Sequence, residues 1–435
     1  MSPTFRALAN SNYRRYAYGS LVSNTGTWMQ RVAQDWLVLQ VPGSHGGTSV
    51  GITTGLQFLP ILLLSPHAGL IADRLPKRAL LQVTQLMMAI PALLLGVLAV
   101  TGSAQVWHVY VLAFVFGIGT AFDGPARQSF VGEIVTPDEL TNAVSLNSAS
   151  FNAARIIGPA IAGLMIGGLG GGVVATGWVI VLNAVSYVAP VLALRGMNPD
   201  LLRTPVPVAR SKGMIREGVR YVRGRPDLML ILAIVFCAGT FGMNFQLTTA
   251  LMATEVFHRG AVAYGLLGTF LAVGSLTGAL LAARRPGVRL RLVVGAAMVF
   301  GALEVVAGLL PTYTLFALWM PLMGLSALTM ITAANALVQV STDPALRGRV
   351  AALYMMIFMG GTPVGAPIIG WVGDTFGARW TLLLGGSLTM AGVAVAAAVY
   401  LRHRRVLTGV SSAGNLFPRV WDNQAVTRAR TQSQG

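Results

Sequence analysis

The sequence predicts an all-α polytopic membrane protein with twelve transmembrane helices arranged in two six-helix bundles. Three observations lead to this fold class. The 435 residues are 54% hydrophobic and only 10% charged, whereas soluble domains carry about 25% charged residues. The apolar residues fall into twelve long segments, and the mean hydropathy is +0.67. Landmarks in the first six segments recur, in the same order, in the last six.

Each apolar segment is long enough to cross a bilayer, whose hydrocarbon core of about 30 Å needs about 20 residues of helix. A transmembrane barrel would instead show strands of about ten residues with alternating polarity. We number the segments as spans 1 to 12. Their predicted bounds are 17–41, 49–72, 79–101, 106–125, 141–167, 173–195, 228–254, 262–283, 290–310, 314–339, 347–373 and 380–402.

The distribution of Lys and Arg indicates which side of the membrane each connection faces. The odd-numbered connections carry only Arg259 and Arg379, and only Arg31 and Arg155 lie inside spans away from their ends. All other basic residues lie in the even-numbered connections, in the two terminal segments or at the span ends that adjoin them. Cytoplasmic loops carry an excess of Lys and Arg. Both termini and the loop 196–227 are therefore predicted to be cytoplasmic, in a multi-pass protein of the plasma membrane.

The composition argues against three other classes of function. The net charge of +17 is spread over loops and is not gathered on one face, so we expect no nucleic-acid partner. The single cysteine and five dispersed histidines offer no metal site. The sequence contains no evident pair of nucleophile and base, so it predicts no enzyme, and it implies no cofactor.

The chain contains a weak internal repeat. GLIADRLPKR (69–78) ends span 2, and GALLAARRPGVRLR (278–291) ends span 8. TPDELTNAV (136–144) precedes span 5 as TDPALRGRV (342–350) precedes span 11, and GPAIAG in span 5 corresponds to GAPIIG in span 11. The nearly constant offset predicts two parallel halves. Transporters built from such repeats bind substrate between the halves, near the membrane midplane.

The repeat also sets the predicted domain boundaries. The first bundle covers 1–195, a cytoplasmic linker 196–227, the second bundle 228–403, and a polar, disordered tail 404–435. Within the linker, MIREGVRYVRGRP repeats arginines at helical spacing. It fits an interfacial helix on anionic headgroups and, equally, a solvated tether with some helix. With all twelve spans in one chain, a monomer is sufficient.

Span 1 carries a polar face that a helix surrounded by lipid does not need. At about 100° per residue, one stripe collects polar side chains over about 22 Å of helix. Its members are Ser20, Ser23, Asn24, Thr27, Arg31, Gln34 and Asp35. We expect this stripe to line water or a polar protein interior. Arg31 and Asp35 are spaced to pair, either as a structural ion pair or as contacts for substrate or proton.

Polar residues in other spans predict that several helices face one aqueous cavity. They are Asn152 and Arg155 in span 5, Thr240, Asn244 and Thr248 in span 7, Asp123 in span 4 and Glu304 in span 9. Asp35 and Asp123 are the leading candidates to carry protons, although Asp123 also fits a cap at the Gly124-Pro125 turn. Arg155 is suited to bind an anionic substrate or, alternatively, to hold span 5 to a carbonyl or acid elsewhere in the protein. Glu304 fits a functional acid or a structural one that stays protonated.

Glycine and proline cluster at corresponding positions of the two halves. They are Gly158, Pro159 and Gly163 in span 5, and Gly365 and Pro367 in span 11. These residues permit a helix to bend and also permit two helices to approach closely. Both interpretations remain open: bends that serve alternating access, and plain tight packing.

Two motifs resemble a known transporter family. GLIADRLPKR resembles the signature between spans 2 and 3 of the major facilitator superfamily, with Gly69, Asp73, Arg74, Lys77 and Arg78 in register. FDGPARQSFVGEIV and NAVSLNSASFNAARIIGPAIAG resemble its exporter branch, which includes the enterobactin exporter and macrolide efflux proteins. The resemblance covers about 5–403. It implies the major facilitator fold, a cavity lined mainly by spans 1, 4, 7 and 10, proton-driven antiport, and cytoplasmic gating through Asp73.

The chain also departs from this family pattern. Ala113 and Phe116 stand where many antiporters carry Arg and Gln in span 4, so Arg127 is the expected gating partner, and coupling is expected at Asp35 or Asp123. The resemblance implies a proton-coupled exporter of small amphipathic molecules such as drugs, powered by the proton gradient across the lipid bilayer. Two alternatives remain: an exporter of a siderophore or other anionic metabolite, and a non-transporting sensor or assembly protein.

Overall fold

The computed structural model describes residues 3–203, 214–285, 287–344 and 346–408, and these residues form helices and connections without a strand. In the first half, spans 1 to 6 are Ser11–Gln40, Gly46–Arg74, Lys77–Val100, Val106–Ile134, Pro137–Gly168 and Val173–Arg195. In the second half, spans 7 to 12 are Pro226–Val256, Ala261–Ala283, Leu290–Leu309, Tyr313–Ser341, Arg347–Phe376 and Ala378–Thr408.

Eleven spans within the described residues are long and apolar enough to cross a membrane. The exception is span 1, a single helix of 30 residues whose polar stripe lowers its hydropathy. Its length and its packing against spans 5 and 6 nevertheless place it inside the bundle. The predicted all-α, polytopic fold is thus confirmed, with span 1 as the helix that composition alone would miss.

Each half packs mainly within itself. Span 4 packs on spans 2 and 3 in the first half, and span 9 packs on spans 10 and 12 in the second. The halves meet along two helix pairs, span 2 with span 11 and span 5 with span 8. This arrangement leaves spans 1 and 7 beside the junction between the halves.

The halves are tied together at the end of the molecule that lies away from both chain termini, which we call the distal end. There, both carboxylate oxygens of Asp374 accept hydrogen bonds from the backbone N–H groups of Gly47 and Thr48, at 2.6 and 2.8 Å. In the other helix pair, a Cβ added to Gly163 would lie 2.7 Å from the carbonyl oxygen of Ala261. Both helix pairs therefore close tightly at this end.

Two spans are interrupted near mid-depth, and span 7 has a second irregular turn at its distal end. Span 7 combines α-helix with π-helical turns at Ala238–Gly242 and Met252–Val256, and span 11 is divided into Arg347–Gly360 and Thr362–Phe376. Span 5 continues as one helix through Pro159. The interruption in span 11 falls at Gly361, before Gly365, whose added Cβ would collide with the Thr240 carbonyl oxygen. The glycines of these spans allow the backbones of neighbouring helices to approach each other closely.

The linker contains a helix, Met214–Arg223, as its arginine spacing predicts. It rests on the protein: Val222 is buried in the core of the second half, and Glu217 pairs with Arg349 of span 11 at 2.5 Å. Residues 204–213 of the predicted linker and the predicted tail beyond Thr408 lie outside the described residues.

Candidate substrate and proton site

Asp35 of span 1 is buried where the two halves meet. The hydroxyl of Tyr264, in span 8, donates a hydrogen bond of 2.9 Å to Asp35 Oδ2, and the Tyr264 ring stacks on Trp36 at 6.2 Å between centroids. Tyr264 Oη also lies 3.4 Å from the carbonyl oxygen of Gln246 in span 7. The carboxyl group is thereby connected to both spans of the second half that face span 1.

The expected Arg31–Asp35 ion pair is not formed among the described residues. The Arg31 guanidinium instead lies over aromatic rings, 4.8 Å from the centroid of Trp28 and 5.5 Å from that of Phe58. Arg155 of span 5 lies 5.7 Å from the same Trp28 ring, and it donates one hydrogen bond, of 3.3 Å, to Ser275 Oγ in span 8. The structure thus brings two predicted site arginines together on one tryptophan.

Polar side chains of the span 1 stripe form hydrogen bonds with other residues of the first half. Thr27 shares a hydrogen bond of 2.9 Å with Tyr187 Oη, and Gln34 donates to Gln57 at 3.3 Å. Asn24 is half-buried on the same stripe. The prediction of a polar surrounding holds, but for Thr27 and Gln34 that surrounding is protein.

Asp123 lies in a saturated network within the first half, apart from Asp35. Its Oδ1 accepts hydrogen bonds from Thr84 Oγ1 at 2.9 Å and Gln85 Nε2 at 2.7 Å. Its Oδ2 pairs with Arg127 Nε at 2.9 Å, and Arg127 also donates to Ser20 Oγ at 3.0 Å. Three donors to one carboxyl group fit a structural role, since buried polar groups are hydrogen-bonded. The alternative role predicted for Asp123, a cap at Gly124-Pro125, does not arise because span 4 continues as helix to Ile134.

The second half contains a separate polar cluster. Glu304 is buried, and its Oε2 has no hydrogen-bond partner among the described residues. A Cβ added to Gly242, at the end of the first π-helical turn of span 7, would lie 2.7 Å from Glu304 Oε2 and 3.0 Å from Thr389 Oγ1. Asn244 follows this turn and donates to the Thr240 carbonyl at 2.9 Å. The predicted cavity residues therefore fall into three groups, around Asp35, around Asp123 and around Glu304.

The residues of the span 2–3 signature lie at the end of the bundle that carries the chain termini. Lys77 of the span 2–3 signature pairs with Glu133 at 2.5 Å, and Arg78 donates to the carbonyls of Leu194 and Arg195. Arg74 is exposed and Gly69 half-buried, while the Asp73 side chain lies outside the described parts of the structure. Asn152 donates only to the Ser148 carbonyl of its own helix.

Sequence reasoning missed several residues of these sites, among them Glu133, Trp28 and Tyr264. Glu133 stands in the quoted motif FVGEIV, and Trp28 stands beside Arg31 in WMQR, so both carried a local signal. Tyr264 is an aromatic residue in an apolar span and carried none.

No group of His, Cys, Asp or Glu in the described part of the chain is arranged to hold a metal ion.

Comparisons with known proteins agree with this architecture. The family model described as transmembrane secretion effector matches residues 2–433. Macrolide efflux protein A of Streptococcus pyogenes is 25% identical over 344 residues, 77% of this chain and 82% of that protein. The multidrug efflux pump Tap of Mycolicibacterium fortuitum is 29% identical over 382 residues, 84% and 90% of the two chains. The staphyloferrin A transporter of Staphylococcus aureus is 24% identical over 258 residues, 58% and 62%.

Solved transporter structures share the fold. A POT family transporter, solved with 5-aminolevulinic acid, superposes with a TM-score of 0.69 at 10% identity, over 90% of this chain and 96% of that one. A bacterial homologue of the human lysosomal transporter Spinster gives a TM-score of 0.64 at 15% identity, over 92% and 99%. The family match covers nearly the whole chain, and the chain therefore belongs to the transmembrane secretion effector family of major facilitator superfamily transporters.

Proposed function

We propose that this protein is a proton-coupled efflux transporter that moves small amphipathic molecules out of the cell across the plasma membrane. Support comes from its family and from relatives named as macrolide, multidrug and siderophore transporters. The proposed mechanism is alternating access, in which the two halves expose a central site first to one side and then to the other.

The direction of access follows from the arrangement of basic residues. Lys and Arg concentrate at the end of the bundle that carries the chain termini, whereas Arg259 and Arg379 lie at the distal end. By the positive-inside rule the termini are cytoplasmic, so the distal end faces the exterior. With the distal end tied through Asp374 and Gly163, the conformation described here is the one closed toward the exterior.

The observation that carries the coupling proposal is the buried hydrogen bond between Asp35 and Tyr264 across the halves. An ionised carboxylate in such a place is costly unless it is paired or hydrated, and the charged or titratable groups facing it are Arg31 and Tyr264. Protonation removes that cost in the closed conformation, and opening the distal end hydrates Asp35. A proton taken up from outside therefore favours return to the conformation closed to the exterior, as antiport requires.

Proteoliposomes with a pH-sensitive dye inside test this proposal. The experiment imposes a proton gradient and adds, in turn, cationic dyes, macrolides and catechol siderophores. We expect substrate-triggered proton movement that Asp35→Asn abolishes and Tyr264→Phe weakens, while Asp200→Asn, which changes an exposed acid of the linker, leaves it unchanged. If folded Asp35→Asn protein shows undiminished proton movement, Asp35 is not the residue that carries the proton.

A second candidate function is export of a siderophore or another anionic metabolite. The staphyloferrin A transporter is among the relatives, and the arginines beside Trp28 favour anions. In the same assay this function appears as a response to siderophores alone. A sensor or assembly protein would give no proton movement with any compound.

Because one chain contains both halves, we expect a monomer to be active.

A further inference from the structure

Two arginines from different spans hold their guanidinium groups against one aromatic residue near mid-depth. Arg31 and Arg155 lie 4.8 and 5.7 Å from the Trp28 ring centroid. At 1.5 Å per residue, Arg31 is about 14 Å along its helix from the distal end of span 1, and Arg155 about 20 Å from that of span 5. The pair therefore lies in the hydrocarbon region and not at an interface with water.

Neither guanidinium is neutralised by an acid among the described residues. Within the described parts of the chain Arg31 makes no hydrogen bond, and its Nε is buried without a partner. Arg155 makes, within the same residues, one hydrogen bond, of 3.3 Å to Ser275. Asp35, the acid one turn along span 1, is engaged by Tyr264. Even when Asp35 is ionised, two positive charges face one negative charge, which leaves the site with a net positive charge.

Other half-buried arginines of this protein show how a structural guanidinium is held here. Arg127 pairs with Asp123 and donates to Ser20. Arg379 donates to the carbonyls of Gly308 and Leu310 at 2.7 and 2.8 Å. Contacts with aromatic faces stabilise a cation only modestly, and an unpaired cation in a membrane is expensive. Arg31 and Arg155 thus retain donors that the described part of the chain does not use.

We propose that Arg31 and Arg155 bind the carboxylate of an amphipathic anionic substrate whose apolar part lies against Trp28 and Phe58. The planar guanidinium matches the two oxygens of a carboxylate, and the aromatic rings supply the apolar surface that such pockets need. Ser275 brings span 8 of the second half to the same site, so a bound anion contacts both halves. This inference rests on the proposed efflux function, because it names the substrate class of that site.

Two dyes that differ by one carboxylate test the inference directly. Rhodamine B carries a free carboxylate, and its ethyl ester does not. We would titrate each against the full-length protein in phosphatidylcholine nanodiscs and follow fluorescence anisotropy. We expect tighter binding of the acid than of the ester. Arg31→Gln and Arg155→Gln should each weaken binding of the acid about tenfold or more, equivalent to about 1.4 kcal/mol, with little change for the ester.

Two further variants separate charge from packing. Arg31→Lys keeps a cation and should keep part of the preference for the acid. Arg223→Gln removes an exposed charge from the linker helix and should change neither dye. Thermal melting of each variant confirms that it is folded.

Equal binding of acid and ester by the unmodified protein overturns the inference, as does an equal loss of both dyes in the Arg→Gln variants. The two proposals can fail separately. Selective, arginine-dependent binding of the acid without any transport in proteoliposomes would leave this site standing and reject the efflux function. Transport without selectivity for the acid would support the efflux function and reject this site.

Discussion

Asp374 Oδ1 accepts a hydrogen bond of 2.6 Å from the backbone N–H of Gly47 and so joins the end of span 11 to the start of span 2. Its other oxygen accepts from the N–H of Thr48 at 2.8 Å. The first N–H groups of a helix have no partner within the helix, and a negative charge is stabilised beside them. Asp374 therefore completes a helix of the opposite half and holds the distal end closed.

We expect Asp374→Asn to shift the protein toward conformations open at the distal end. The amide keeps one acceptor oxygen and loses the charge. A partly exposed contact of this kind is worth about 1 kcal/mol, which is roughly a fivefold change in the ratio of closed to open molecules. Double electron–electron resonance between spin labels at Pro42 and Thr375, in a Cys237→Ser background, measures that ratio. A distance distribution identical to that of the parent protein contradicts the prediction.

Asp123→Asn should destabilise the fold. The substitution leaves Arg127 without its anion and turns an amide N–H₂ toward groups that are themselves donors, Thr84 and Gln85. Removing one partner of a largely buried ion pair costs about 3 kcal/mol or more. The measurement is the melting temperature of the purified protein in detergent.

Asp138→Asn provides the matched control for Asp123. It removes an acid from a pair with Arg6 whose side chains are 67% and 61% exposed, and such pairs contribute little to stability. We expect a melting temperature close to that of the parent protein. If both variants melt alike, Asp123 is not the structural carboxylate that its contacts indicate.

The sequence was sufficient to predict the helices but not what each polar residue contacts. Hydrophobicity and charge placement are local properties, so the membrane-spanning helices could be read from the chain. The polar stripe of span 1 was predicted for the same reason. Its contacts depend on other spans: Asp35 bonds to Tyr264 and not to Arg31 because span 8 brings a hydroxyl within 2.9 Å. No periodicity within span 1 encodes that partner.

The same limit applied to the candidate site as a whole. Asp123 and Asp35 looked alike in the sequence, as acids near polar neighbours in apolar helices. They differ in structure because Gln85 and Thr84, from span 3, saturate only Asp123. The sequence allowed a bend in span 11 but did not single out Gly361 as its position. Glycine and proline recur along this span, and packing against span 7 determines which of them interrupts the helix.

Glu304→Gln should retain or raise the melting temperature. Glu304 is 1% exposed, and no cation lies near its Oε2 among the described contacts, so an ionised carboxylate would be costly there. The amide keeps the shape of the side chain without the charge. Glu304→Ala is the comparison: it leaves a cavity and should lower the melting temperature. An equal fall in both variants would contradict this interpretation of Glu304.

Gly163→Ala should open the distal end without unfolding either half. The added Cβ would lie 2.7 Å from the Ala261 carbonyl oxygen, and because this contact joins spans 5 and 8, separating the halves relieves the clash. Overpacking of this kind costs about 1–3 kcal/mol, enough for a tenfold shift toward open molecules. Spin labels at Leu169 and Arg259 would report a longer distance. Gly168→Ala, where an added Cβ has no atom within 4 Å, should leave the distance unchanged. A fall in melting temperature with no change in distance would mean that the halves cannot separate at this contact.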